Sequence, residues 1–333
     1  MDLRGRVTRW GLARPRVLLV DAPGDDTLRW EVEDELDRRG WRMALSPADT
    51  DLLLTLGAAG PQLSGATDVL WSQIPRPRHR ATLTAARMHE QLNAVAVALL
   101  DVPPDAPGDE HPATLLAGDP PGGAPGDPHS SHGIGHGGDH MEHGGNVAGL
   151  AMADRAPDRD GLQLDALKVT LGPVLPGWPT GLAMHATLQG DVLTEVGLRW
   201  LDPADPDVDR HPVADPAPWA LDRLSRFLLV AGWPDAARQA RQARAALTGP
   251  NPSTRARGGQ EAVALARKVR RSRALAWSVQ GMPGDVWDRV RSWCDVATGG
   301  DFERARAADL RELATLLDGA ELAAARLVVA SHD

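Results

Sequence analysis

The fifty residues from 101 to 150 decide how this 333-residue chain can fold, because they cannot themselves pack. Twenty of the fifty are Gly or Pro, and histidines crowd their end. Such a stretch has too little apolar surface to offset the entropy of ordering it. Any core must therefore come from the flanks, each long enough to bury one. The expected organisation is a domain over residues 1–100, a Gly/Pro/His-rich linker over 101–160, and a second domain over 161–333.

The first flank alternates two periods. Arg16-Val-Leu-Leu-Val-Asp21 is an apolar run suited to a buried strand. Residues Thr27 to Arg39 follow with helical spacing at Leu28, Val32 and Leu36, charges on the other face, and a stop at Gly40. Trp41–Leu45 and Asp51–Gly57 read as further strands, Ala58–Ala66 as a short helix or turn, Asp68–Gln73 as helix or strand, and Thr82–Leu100 as one helix. Strands alternating with helices predict an α/β layer domain with a mainly parallel sheet.

The second flank changes character midway. Leu167–Leu171, Leu182–Leu188 and Val192–Trp200, with the turn Gln189-Gly190-Asp191, predict a small antiparallel sheet. Helical patterns then cover 218–231, 235–247, 260–279, 284–297 and 302–328, broken at Trp233-Pro234, Gly249-Pro250 and Gly281-Met282-Pro283-Gly284. Short connections between amphipathic helices predict a bundle, so the second domain is α+β.

Composition narrows function by exclusion. The net charge is −9 and Lys168 and Lys268 are the only lysines, which argues against a nucleic-acid binder. No run approaches the ~20 apolar residues of a membrane span, and the first residues carry no apolar signal core, so a cytoplasmic protein that is not integral to a membrane is expected. Cys294 is the one cysteine and cannot support a disulfide within the chain. It reads as a buried inert thiol, His185 as a core or edge histidine, His89-Glu90 as a solvated helix face, and Asp154–Asp160 as a charged turn. No P-loop, G-x-G-x-x-G or G-x-S-x-G stands in a fitting context, and no nucleophile, base and oxyanion donor can be named. No catalytic residue is expected.

Two segments carry a resemblance. Ser46-Pro47-Ala48-Asp49-Thr50-Asp51-Leu52-Leu53-Leu54, then Gly57, then Trp71-Ser72-Gln73-Ile74-Pro75-Arg76-Pro77-Arg78 resembles the small cluster-bearing subunit of respiratory complex I and its relatives, the small subunits of nickel–iron hydrogenases. That family has an S-P-x-x-A-D-L-L strand followed by a helix and a Q-(M/I)-P-x-P-(R/K) turn. Leu171-Gly172-Pro173-Val174-Leu175-Pro176, then Gly181-Leu182, then Leu188-Gln189-Gly190-Asp191-Val192 resembles the start of the quinone-site subunit of complex I, kin to the hydrogenase large subunit. Its pattern there is a G-P-x-H-P-x-x-H-G hairpin.

The resemblance implies a redox scaffold, and the departures remove its chemistry. Adjacent cysteines of the family fall where this chain has Ala22-Pro23-Gly24-Asp25, and another falls where it has Ala81-Thr82-Leu83-Thr84. Leu175 and Thr180 stand where the family has histidines, one residue is inserted, and the quinone-site tyrosine has no candidate in a chain without tyrosine. A 4Fe–4S cluster is usually held by four thiolates, so no Fe–S cluster is expected. The expected function is a non-catalytic accessory, assembly or regulatory protein, with respiratory or hydrogenase complex subunits as partners.

The alternative reading is metal handling. His129, His132, His136, His140 and His143 lie within fifteen residues, with Asp139, Met141 and Glu142 as auxiliary donors. Imidazoles spaced by three or four residues suit Cu, Ni or Zn. The competing reading is a low-complexity tract that meets metal only weakly. A linker supplies little of the outer shell a catalytic metal needs, so binding or delivery fits this composition better than catalysis.

Overall fold

The computed structural model describes residues 12–22, 26–100, 146–147, 150–151, 154–157, 163–202, 215–302 and 309–332. In the first unit, β1 (Arg16–Asp21), β2 (Arg42–Met43), β3 (Leu52–Leu56) and β4 (His79–Leu83) form an all-parallel sheet of order β2-β1-β3-β4. The helices are α1 (Asp26–Arg39), α2 (Pro61–Gln73) and α3 (Met88–Leu100). Alternation along β1 sends Val17 and Leu19 to one face, where they meet Leu28, Val32, Leu92 and Leu99 of α1 and α3. Leu18 and Val20 face the other way, toward Leu63 and Ile74 at α2. Among the described residues, two helices on one face and one on the other give the expected α/β layer domain with a parallel sheet.

Two sequence expectations change here. Trp41–Leu45 shortens to the two residues of β2, because Asp49 accepts the backbone N–H groups of Leu45 (3.1 Å) and Ser46 (3.1 Å) and turns the chain away. The single helix expected over Thr82–Leu100 is β4, a 3₁₀ turn at Ala85–Arg87, and then α3. Thr82 and Leu83 are spent on pairing with Thr55 and Leu56 of β3. The two readings left open for Ala58–Gln73 resolve as one helix, α2.

The second unit carries an antiparallel sheet of order β10-β9-β8-β7, from β7 (Asp154–Pro157), β8 (Gln163–Leu171), β9 (Leu182–Gln189) and β10 (Val192–Trp200). A two-stranded ribbon, β5 (Asn146–Val147) with β6 (Leu150–Ala151), precedes it. The far end of the stretch read as linker thus contributes an edge strand, β7, where a charged turn was expected. Its pairing partners, Gln163–Ala166, extend β8 beyond the Leu167 start read from hydropathy alone.

Helices α4 (Pro216–Val230), α5 (Pro234–Leu247), α6 (Pro252–Arg271), α7 (Arg273–Ser278), α8 (Val286–Val296), α9 (Leu310–Leu317) and α10 (Leu322–Ser331) complete the unit. The helix expected over 260–279 is two, because the Ser272 side chain accepts the N–H of Leu275 at 3.2 Å and starts α7. The last expected helix also divides, at Asp318–Glu321. There Gly319 donates to Leu193 O (2.7 Å) and Leu322 to Asp191 O (2.7 Å), tying the link to the edge of β10. One apolar cluster spans sheet and helices, from Met184 and Leu193 to Leu224, Phe227, Ala240, Leu265 and Val328. Among the described residues, no helix is long and apolar enough to cross a membrane.

Candidate functional site

A parallel sheet ordered β2-β1-β3 has its topological switch point at β1, and crevices for ligands in such sheets lie outside the carboxyl ends of the strands at that point. In this chain the second unit fills that crevice. The hairpin between β8 and β9 lies against the end of β1, where the Thr180 hydroxyl donates a short hydrogen bond to Asp21 Oδ2. Val174 of the hairpin packs on the Leu18, Val20 and Leu53 face of the sheet. Backbone geometry sets this approach. Gly177 has φ +75°, and a Cβ there would stand 2.6 Å from Arg226 O. Arg226 in turn donates to Trp178 O, and Trp178 Nε1 donates to Leu182 O at 2.7 Å, so α4 and the hairpin are locked together.

Behind the hairpin, α1 meets α4 and α5 through charge. Arg29 forms a two-point pair with Asp222 (3.0 and 2.7 Å) and also reaches Asp26 (2.8 Å), Glu33 (3.3 Å) and Asp21 (3.3 Å). Arg244 joins Asp222 (2.6 Å) to Glu33 (2.8 Å), contacts Asp34 (3.4 Å), and sits over the Trp30 ring. Arg29, Glu33, Asp222 and Arg244 are all buried, two cations against two anions. Arg241 adds a looser contact to Asp37 at 3.4 Å. Among the described residues, the Nε atoms of Arg241 and Arg244 find no hydrogen-bond partner, a real cost of building a junction from charge.

Burial alone would raise the Asp222 carboxyl, but Arg29 and then Arg244 hold it far below the usual carboxylate range. Glu33 is lowered in the same way, burial being outweighed by Arg244 and Arg29. For Asp26, burial again works upward and Arg29 reverses it. Asp34 is the exception. Burial, which Arg244 opposes and Glu33 reinforces, pushes it up to about 6. Burial would lower Arg29 and Arg244, yet Asp222 and Glu33 keep both above the ordinary arginine value.

A cavity of about 50 Å³ remains between the units, lined by Asp21, Arg29, Glu33, Arg226, Arg241 and Trp178 among others. That is room for water-sized guests with several polar partners, well below the ~300 Å³ at which small-molecule pockets begin. The donor set does not fit an iron–sulfur cluster. β1 ends at Asp21 and is followed by Ala22, and Cys294 belongs to the apolar cluster of the second unit. Its thiol is fully buried and pushed up to about 12 by that burial, an inert group as read from sequence.

The remaining expected site residues fall differently. His129, His132, His136, His140 and His143, with Asp139, Met141 and Glu142, lie outside the described residues. Among the described residues, no group of three or more His, Cys, Asp or Glu is arranged to hold a metal ion. His185 is exposed on the antiparallel sheet, its Nδ1 3.0 Å from Thr170 Oγ1 and its Nε2 accepting from Arg199 Nε at 3.2 Å. Burial and then Arg199 lower its pKa.

The junction residues Arg29, Glu33, Asp222 and Arg244 were not foreseen. The spacing of α1 places Arg29 and Glu33 beside the Leu28/Val32 stripe as an i,i+4 pair, which is the one local sign of it. A second tie joins the units away from the junction. Asp202, just after β10, accepts the N–H groups of Gln62 (3.2 Å) and Leu63 (2.7 Å) and so caps α2 from the other unit. Gly60 permits this approach, since a Cβ there would lie 2.3 Å from the Asp202 carboxyl carbon.

Compared with protein-family models, with curated proteins and with solved structures, the chain finds no match in any of the three.

Proposed function

We propose that the chain is a non-catalytic accessory or assembly protein built on the paired scaffold of the small and quinone-site subunits of complex I and nickel–iron hydrogenase, with the redox chemistry lost. One observation carries this reading. The two segments that separately resemble those subunits lie far apart in sequence, yet Val174 of the second packs in one apolar cluster with Leu53 and Ile74 of the first, beside the Thr180–Asp21 hydrogen bond. That hydrogen bond joins Thr180, where the family has a histidine, to Asp21, the residue before the stretch Ala22-Pro23-Gly24-Asp25 where it has adjacent cysteines. Beside it, Arg29 and Asp222 form a buried ion pair.

A protein of this kind acts by shape, as a stand-in for, or a holder of, subunits of a respiratory or hydrogenase complex. Disrupting its gene is expected to lower the membrane-bound NADH–quinone reductase or hydrogenase activity of the source cells. Re-expression of the intact chain should restore that activity. Unchanged assembly and activity of both complexes in the disrupted strain would contradict the proposal.

The alternative is metal handling by His129, His132, His136, His140 and His143, with Cu, Ni or Zn as cargo. It is favoured by the crowding of five imidazoles into fifteen residues. Titration of each metal into the full chain and into a variant with all five changed to Ala distinguishes it. Equal affinity in both would end that reading.

A further inference from the structure

The described tryptophans divide into three groups. Trp30, Trp41, Trp71, Trp219 and Trp233 each hold an Arg or Lys over the ring, 4.2–5.4 Å from its centroid. Trp178 and Trp293 are buried in the core. Among the described residues, Trp200, Trp277 and Trp287 carry no such cation, and Trp277 is 70% exposed. Two of these three adjoin one concavity. A surface pocket of about 210 Å³ is lined by Trp287, Met282, Asp285 and Asp288, among others. Ala276, which also lines it, immediately precedes Trp277.

The rim is held in place and carries negative charge. Asp285 enters α8 in the left-handed region (φ 54°), and its side chain makes no cap hydrogen bond there. The loop before it is pinned from within the helix, because Arg289 Nε donates to Gly284 O at 3.1 Å. Asp288 lies 3.7 Å from the exposed Arg291, a contact of little worth in solvent. Two carboxylates therefore stand beside an aromatic ring and a thioether, a combination that attracts a cation with an apolar stem.

We propose that this pocket is a docking site for an arginine-bearing segment of a partner protein, the guanidinium lying on Trp287 and paired with Asp285 and Asp288. Trp277 would cover the adjoining backbone of that segment. The ring–cation pairing that five tryptophans make internally would here be completed from outside. Trp and Met are the residues most enriched at such contacts, and charge complementarity selects the basic partner. This inference does not depend on the proposed kinship.

The test uses the full chain with ¹⁵N-labelled indoles, titrated with acetyl-Ala-Arg-Ala-amide. The Trp277 and Trp287 signals are assigned through Trp277→Phe and Trp287→Phe. Saturable shifts confined to those two signals are expected. The same peptide with citrulline in place of arginine should leave them unmoved. In an Asp285→Asn, Asp288→Asn double variant the affinity should fall about ten-fold or more. Both aspartates are exposed, and unchanged signals from the other indoles establish that this variant is folded. Absence of saturable shifts, equal shifts with the citrulline peptide, or undiminished affinity in the double variant would each overturn the proposal.

Discussion

The interior of the parallel sheet and the junction of α1 with α4 and α5 are both buried, and they are built from opposite materials. Leu52, Leu53, Leu54 and Leu56 on β3 are buried in clusters of apolar side chains, a non-directional arrangement that tolerates exchange of shape. Arg29, Glu33, Asp222 and Arg244 exclude water as fully but hold together only while every charge keeps its partner. The sheet supplies stability to one unit, whereas the junction fixes how the second unit sits against it.

The widest separation between the two comes from removing a partner. Asp222→Ala strands two buried guanidinium groups and is expected to cost about 3–5 kcal/mol, measured by urea denaturation. Leu54→Ala leaves a cavity in the sheet core and should cost about 3 kcal/mol. Conservative changes sharpen the contrast. Leu54→Met should cost less than about 1.5 kcal/mol. Asp222→Asn, which is nearly the same shape, should remain far more damaging. If Asp222→Asn were as mild as Leu54→Met, the junction would be held by packing and not by charge.

Acidity separates the groups within the junction. Asp222, Glu33 and Asp26 are lowered in the folded state, so their contribution is present above the unfolded value near pH 4 and is lost as pH falls below it. Asp34, raised to about 6, has the opposite sign. The folded state holds its proton longer, so stability declines as pH rises from about 4 through 6. Asp34→Asn should therefore gain on the parent chain over that interval, by about 1–2 kcal/mol once its partial exposure is allowed for. Denaturation midpoints of the two proteins at pH 4 and pH 7 measure the gain; a constant difference would refute the assignment.

The smallest effect is expected at the second tie between the units. Asp202→Ala removes the cap on α2 and should cost about 1 kcal/mol. The amide protons of Gln62 and Leu63 should then exchange faster, while those of β3 stay protected.

What could be read from sequence follows the same division. β1, β3 and the helices of the second unit declared themselves through apolar periodicity, because each buries a stripe against apolar neighbours. β4 was hidden. Its residues His79 and Arg80 are polar because it lies at the edge of the sheet, and edge strands carry charge. The junction was hidden more deeply. Periodicity assigns Arg29, Glu33 and Asp222 to solvated faces, and only contacts spanning about two hundred residues (193 from Arg29 to Asp222, 211 from Glu33 to Arg244) bring them inside. The two resembling segments were visible as separate motifs, but the packing of Val174 with Leu53 and Ile74 is a tertiary fact that neither motif contains.

The proposed function requires a scaffold laid out like an electron carrier but without the sulfur to hold a cluster. It is tested most directly by measuring iron and acid-labile sulfide in the full chain purified without oxygen, alongside its visible absorption spectrum. The account predicts neither element above trace level and no charge-transfer absorption. Stoichiometric iron and sulfide, with a cluster spectrum that bleaches on reduction, would contradict it.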